Sequence, residues 1–234
     1  MNSRDLLASS ASLSHELLAI VHGEPPSMEH IASGLAEAAG RVVGDHDVAV
    51  TLLLDRSRST RAATAPTVRE LAELEARLDA GPTICALDEM RVVGARDDTT
   101  RTPRPWSEAV ERAGYHDVLA VPVVIDRRAV GAITLYGRQD ADRDDVREIG
   151  ELLAHQAALV VESGRRLLQL REAVASRDVI GQAKGILMHR FGIDAATAFG
   201  RLVEASQDMN VKLVDIARWY VTDQDGSTPS PRPS

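Results

Sequence analysis

The chain has 234 residues, 44% of them hydrophobic, a net charge of -8 and a single cysteine, Cys85. That length suits one or two domains with true cores, and one cysteine excludes both an intrachain disulfide and a cysteine-based metal cluster. With no apolar run long enough to cross a membrane and no leader-like pattern of basic, apolar and small residues, a cytoplasmic protein without membrane contact is expected.

Residues 1–22 place Leu6, Leu7, Leu13, Leu17, Leu18 and Val21 in a rough helical pattern that Gly23 to Pro26 breaks, so residues 1–27 read as an N-terminal helix preceding a domain. A second helix follows from Met28, with Ile31, Leu35, Ala38, Ala39 and Val42 at helical spacing. Residues 48–54 alternate and are β-branched, which predicts a strand; 55–59 read as a turn and 60–65 as the returning strand. Residues 67–79 predict a helix with Val68, Leu71, Leu74 and Leu78 on one side. Gly81-Pro82 then punctuates the chain before a short helix ending at Met90. A strand over 92–95, a helix over 106–113 and two strong strands over 118–125 and 129–136 complete the set, the last two joined by Asp126, Arg127 and Arg128 as a hairpin. Cys85 reads as a small core or pocket residue.

Val146, Leu153, Val160, Leu167 and Val174 then recur every seven residues, with Ile149 and Leu170 at the partner positions and Gln156 and Ser163 interrupting between them. That is the register of a coiled coil on a long helix. Up to residue 160 the same stripe suits packing on the preceding sheet equally well. Beyond Gly164 there is no sheet left to cover, so Val160, Leu167, Leu170 and Val174 are the expected seam of a homodimer.

In the stretch 176–222, Ile180, Ala183, Leu187 and Phe191 fall on one helical face, Gly192 stops that helix, and Asp194 is placed to cap the next. Ala198, Phe199, Leu202 and Val203 are expected to point inward, and after a turn at Met209-Asn210 a third helix presents Leu213, Ile216, Ala217 and Tyr220. Such short helices hold only by packing their apolar stripes together. Gly181, Ala183 and Gly185 would permit a close helix crossing, which would offset the roughly 1 kcal/mol that each mid-helix glycine costs. The tail over 225–234 is rich in Ser and Pro and is expected to be disordered.

The same stretch resembles the ANTAR domain of bacterial antitermination regulators almost from end to end. The resemblance rests on Ala183, Lys184, Gly185, Ile186, Leu187, Met188, Arg190 and Gly192, then on Ala198, Phe199, Leu202, Ser206, Gln207, Asn210, Lys212, Leu213 and the Asp215-Ile216-Ala217 step. Residues 28–163 resemble a GAF domain, a sensing or dimerising α+β fold with an antiparallel sheet. That likeness is carried by Gly81-Pro82, the run from Tyr115 to Pro122, Gly131-Ala132-Ile133 and Gln156-Ala157-Ala158. Where many relatives have cysteine after Gly-Pro, this chain has Thr83. The expected architecture is therefore α+β: a GAF domain over 28–163, then a coiled-coil linker helix and a three-helix ANTAR unit over 164–224.

The resemblance implies binding to an RNA stem-loop, yet the helical unit is not a basic patch. Over 176–222 the six cations Arg177, Lys184, Arg190, Arg201, Lys212 and Arg218 face the five acids Asp178, Asp194, Glu204, Asp208 and Asp215. Binding must then rest on a few placed cations and on polar contacts to unstacked bases. The candidates are Lys184, Arg190 and Lys212 for phosphates, with Ser206, Gln207 and Asn210 around the second turn, where amides can read base edges. The plain alternative is that Lys184 and Arg190 lie on an ordinary solvated face and Asn210 only makes a turn.

No catalytic role is expected. A thiol-exchange reductase of the GAF type needs several cysteines, His46 and His116 have no partner at ligand spacing, and no phosphate-cradling glycine loop or nucleophile elbow appears. Neither metal nor cofactor is predicted, and the GAF domain offers a pocket for a small-molecule or protein signal at most. The competing reading is a dimeric signalling adaptor whose C-terminal helices bind a protein. A histidine kinase using His155 is disfavoured because no ATP-binding segment follows.

Overall fold

The computed structural model describes residues 27–54, 57–97, 101–138 and 143–222. It divides into two compact units, the first running to Arg166 and the second starting at Leu167. The helix expected over residues 1–22 and the tail over 225–234 lie outside the described residues.

The first unit opens with α1 (Met28–Val43), whose cap residue Ser27 accepts a hydrogen bond from the His30 N–H on its hydroxyl at 3.1 Å. Then follow β1 (His46–Leu54), β2 (Ser57–Ala63), α2 (Pro66–Leu78), α3 (Pro82–Glu89), β3 (Val93–Gly94), α4 (Arg104–Arg112), β4 (Asp117–Ile125), β5 (Arg128–Gly137) and the long helix α5 (Arg143–Phe191). The sheet is antiparallel throughout, in the order β2-β1-β5-β4-β3. The β4–β5 connection differs slightly from the sequence expectation. Ile125 pairs with Arg128, so the hairpin turn is Asp126-Arg127 alone, both with positive φ, and Arg128 already belongs to the strand. Two residues of that conformation match the twist of the strands they join.

Helices cover both faces of this sheet. On one side α5 passes over Val121 and Leu135, close enough at Gly150 that a Cβ there would lie 2.8 Å from Val121 Cγ2, and Gly164 lies against Ile31 of α1. On the other, Ala49, Val68, Leu71, Trp106, Val110, Tyr115, Val118 and Tyr136 form one cluster and Cys85, Ala86, Val93 and Ala120 a second. Covering both faces explains why β4 buries four residues in succession, Val118 to Val121, and why its sequence reads as a continuous apolar run.

Val146, Leu153 and Val160 are buried within this unit. Val160 therefore leaves the expected dimer seam: its apolar surface is spent on its own domain.

The second unit joins the last part of α5 to α6 (Ala195–Asp208) and α7 (Leu213–Thr222). Its core is small: Ala183, Leu187, Ala198, Leu202, Ile216 and Ala217. Three expectations are corrected here. Phe191 and Phe199 do not point inward but stand exposed, because a seam built on alanines is too narrow to reach the edges of each apolar stripe. Gly181 and Gly185 make no close crossing within the unit, since a Cβ added at either would meet nothing within 4 Å.

Candidate nucleic-acid interface

Two turns shape the surface of the helical unit. At the first, Gly192 adopts a φ of 62° and ends α5, and Asp194 caps α6 by accepting the Thr197 N–H at 2.7 Å. That hydrogen bond holds the exposed Asp194 carboxyl below its ordinary pKa. At the second, Asn210 sits in the left-handed region with a φ of 51°. Its N–H reaches the Gln207 carbonyl at 3.2 Å and the Val211 N–H reaches the Ser206 carbonyl at 3.1 Å, the paired closure of a Schellman motif. The Ser206 hydroxyl also donates to the Val211 carbonyl at 2.6 Å.

These bonds sort the candidate residues. Ser206 and the backbone of Asn210 build the turn, while the side chains of Gln207, Asn210 and Lys212 stand exposed on it. Arg190 is exposed and Lys184 half-buried. At about 100° per residue, six positions apart puts those two cations roughly 120° apart around α5, so they do not share one face. Arg190 stands where α6 begins and the Ser206 to Lys212 group where it ends, separated by the length of a 14-residue helix, about 21 Å.

Along α5, two of the residues expected to form a seam stay open. Leu170 and Val174 are 64% and 60% exposed and line a shallow groove of about 340 Å³ with Arg171, Ala175 and Asp178, whereas Leu167 is half-buried.

The sensor-like unit holds a buried polar group that the sequence reading missed. Glu75 of α2 is 1% exposed and accepts the Thr83 N–H at 2.6 Å and the Thr83 hydroxyl at 2.7 Å; Thr83 in turn meets Thr134 at 2.9 Å. In effect one helix supplies the N-terminal cap of the next, since Gly81 at the start of α3 has no side chain to do so. Gly81 must be glycine: its φ is 140°, and a Cβ would lie 2.5 Å from Glu75 Oε1. Burial pushes Glu75 up to about 7, against the pull of its hydrogen bonds from Thr83. The nearby Tyr136 hydroxyl is buried and has no hydrogen-bond partner among the described residues, and burial, then the Glu75 charge, pushes its pKa up. Thr83, the residue after Gly81-Pro82, belongs to this network, and Cys85 is an ordinary core residue.

On the opposite face an open groove of about 660 Å³ runs between α5 and β4, lined by Met90, Val121, Pro122, Arg147, Glu151 and His155 among others. His46 Nδ1 lies 3.2 Å from the Val43 carbonyl, and His116 is exposed. Among the described residues no three His, Cys, Asp or Glu side chains gather as a metal site, and no helix is long and apolar enough to cross a membrane.

Family models match the chain twice: a GAF domain over residues 26–162 and an ANTAR domain over residues 168–219. Among solved structures, the GAF domain of a phosphoenolpyruvate-protein phosphotransferase from Coxiella burnetii is similar at 12% identity and a TM-score of 0.55, covering 71% of this chain and 98% of that one. The nlh2 GAF domain of A. Aeolicus, in an inactive state, is similar at 9% identity and a TM-score of 0.50, covering 67% and 98%. At such identities the likeness is one of fold alone. No curated protein matches the chain.

Proposed function

The chain belongs to the GAF-domain family and carries a C-terminal ANTAR domain, and from that premise we propose that it is a signal-responsive, RNA-binding regulator of transcription antitermination acting in the cytoplasm. The observation that carries this reading is the ANTAR match over residues 168–219. Both matched domains are regulatory rather than catalytic in kind. The RNA contacts are assigned to Lys184, Arg190 and Lys212 for phosphates and to Gln207 and Asn210 for loop bases, with Ser206 holding the turn that presents them.

The mechanism follows from mass action. A protein that binds an antiterminator stem-loop and not the competing terminator stabilises the first by its binding free energy, so transcription continues downstream. No bulk charge attraction assists: the chain carries -8 overall. Recognition must come from placed contacts with unpaired bases. The helix α5 enters both units, and a signal at the GAF domain, small molecule or protein, is proposed to bias how α5 pairs with a second copy through Leu167, Leu170 and Val174.

Full-length protein should bind one or a few stem-loops from a panel of transcribed leader RNAs saturably, and bind loop-mutated versions much more weakly. Equal, weak binding to every RNA would instead favour the protein-adaptor reading, which the exposed Phe199 and Trp219 support. For the seam, Leu170→Asp with Val174→Asp should give monomers in sedimentation. A wild type that is already monomeric at high micromolar concentration, with and without RNA, contradicts the dimer.

A further inference from the structure

Arg190, Phe191 and Arg201 meet at the turn between α5 and α6. Phe191 is the last residue of α5 and is 51% exposed. The Arg201 guanidinium, from the second turn of α6, lies 5.1 Å from the Phe191 ring centroid, and that of Arg190 lies 6.0 Å away. Both arginines are exposed, and among the described residues neither is in an ion pair. The one acid at this turn, Asp194, is committed to the Thr197 N–H. The result is a half-exposed aromatic ring with a guanidinium over it from each of the two helices.

We propose that Phe191 is a stacking platform for one unpaired base of the bound RNA, with Arg190 and Arg201 meeting the phosphates on either side of that base. This rests on the RNA reading above and adds Phe191 and Arg201 to the residues assigned there. Aromatic rings stack on bases of any identity, and arginine both stacks on a ring and pairs with phosphate, so a ring between two guanidiniums suits a single-stranded nucleotide. A protein partner would need an apolar surface wider than one ring, and the two charges beside it would have to be desolvated. The platform also supplies what the near-neutral unit lacks: stacking does not depend on bulk charge and is not screened by salt.

The test uses the full chain and a leader stem-loop that the wild type binds, with 2-aminopurine replacing each loop base in turn. One position should lose fluorescence on binding wild type and keep it with Phe191→Ala. Phe191→Ala should weaken affinity roughly 5- to 150-fold with its salt slope unchanged. Phe191→Leu, which keeps apolar bulk and helix propensity without the ring, should lose affinity similarly, and Phe191→Tyr should bind near wild type. Arg201→Ala should instead lower the salt slope by about one. Folded Phe191→Ala and Phe191→Leu proteins that bind the RNA as tightly as wild type overturn the platform and leave the RNA reading standing. A wild type that binds no stem-loop overturns both.

Discussion

The two units use aromatic side chains in opposite ways. In the GAF domain Trp106, Tyr115 and Tyr136 are fully buried: the Trp106 indole N–H donates to the Leu71 carbonyl at 3.1 Å, and the Tyr115 hydroxyl donates to Asp47 at 2.7 Å. In the ANTAR domain the core is built on alanines and leucines, and Phe191, Phe199 and Trp219 remain on the surface. Large rings deep in one domain hold it together; large rings outside a small core are free to meet something else. The contrast separates rings that fold the protein from rings its own fold leaves at the surface.

Stability measurements should break that contrast if it is wrong. Trp106→Ala is expected to cost the GAF domain about 3–5 kcal/mol, and Leu202→Ala to cost the ANTAR domain about 2–5 kcal/mol, because each leaves a cavity in a closed core. Phe199→Ala should stay within roughly 0.5 kcal/mol. Urea titration followed by circular dichroism reads all three. A Phe199→Ala loss as large as that of Leu202→Ala would mean the ring is structural after all.

The next effect is nearly as large and concerns pH. Glu75 has an ordinary value of 4.5 and is raised to about 7 in the fold. The folded state therefore holds this proton more tightly than the unfolded one. Its contribution is fully present below pH 4.5 and is lost as pH rises through about 7. The difference corresponds to on the order of 3 kcal/mol. The GAF domain should thus lose stability between pH 4.5 and 7, and Glu75→Gln, which cannot ionise, should flatten that dependence. Identical pH profiles for variant and wild type would contradict the assignment.

A smaller, stabilising effect is expected from two glycines of the ANTAR domain. Gly181→Ala and Gly185→Ala each add a methyl group into open space in mid-helix, so each should stabilise that domain by roughly 0.5–1 kcal/mol. Thermal melts check this. If either substitution stabilises the fold but lowers dimer or RNA affinity, that glycine serves a partner's close approach.

Much of the fold was legible because its elements are punctuated by residues with few conformational choices. Gly81-Pro82 marks the start of α3, Asp126-Arg127 the hairpin, and Gly192 with Asp194 the break between α5 and α6. What periodicity could not give was the width of an interface. Ile180, Ala183, Leu187 and Phe191 share one stripe, but how much of a stripe is buried depends on what packs against it, and here that is mainly Ala198, Leu202, Ile216 and Ala217. Heptad spacing likewise could not tell which positions of α5 the first unit covers: Val160 is buried there, and Leu170 and Val174 remained open. Glu75 reads as one more surface charge on a helix, yet it lies four residues after Leu71 on the buried stripe that starts at Val68, and that position was its only trace in the sequence. For the candidate site the residue types were readable, but the distance that α6 sets between Arg190 and the Ser206 to Lys212 turn needed coordinates.

If this near-neutral unit recognises RNA through a few placed contacts and not through bulk charge, the salt dependence of its affinity will show it. For a preferred stem-loop, log K against log salt should have a shallow slope, roughly -2 to -4 per protomer if three or four cations meet phosphates. Arg190→Ala and Lys212→Ala should each remove about one unit of it. Asn210→Gly, which keeps the left-handed turn and deletes only the amide, should leave the slope alone and erase most of the preference over a loop-mutated RNA. A steep slope with no loop preference, or a preference that survives Asn210→Gly unchanged, would contradict the account.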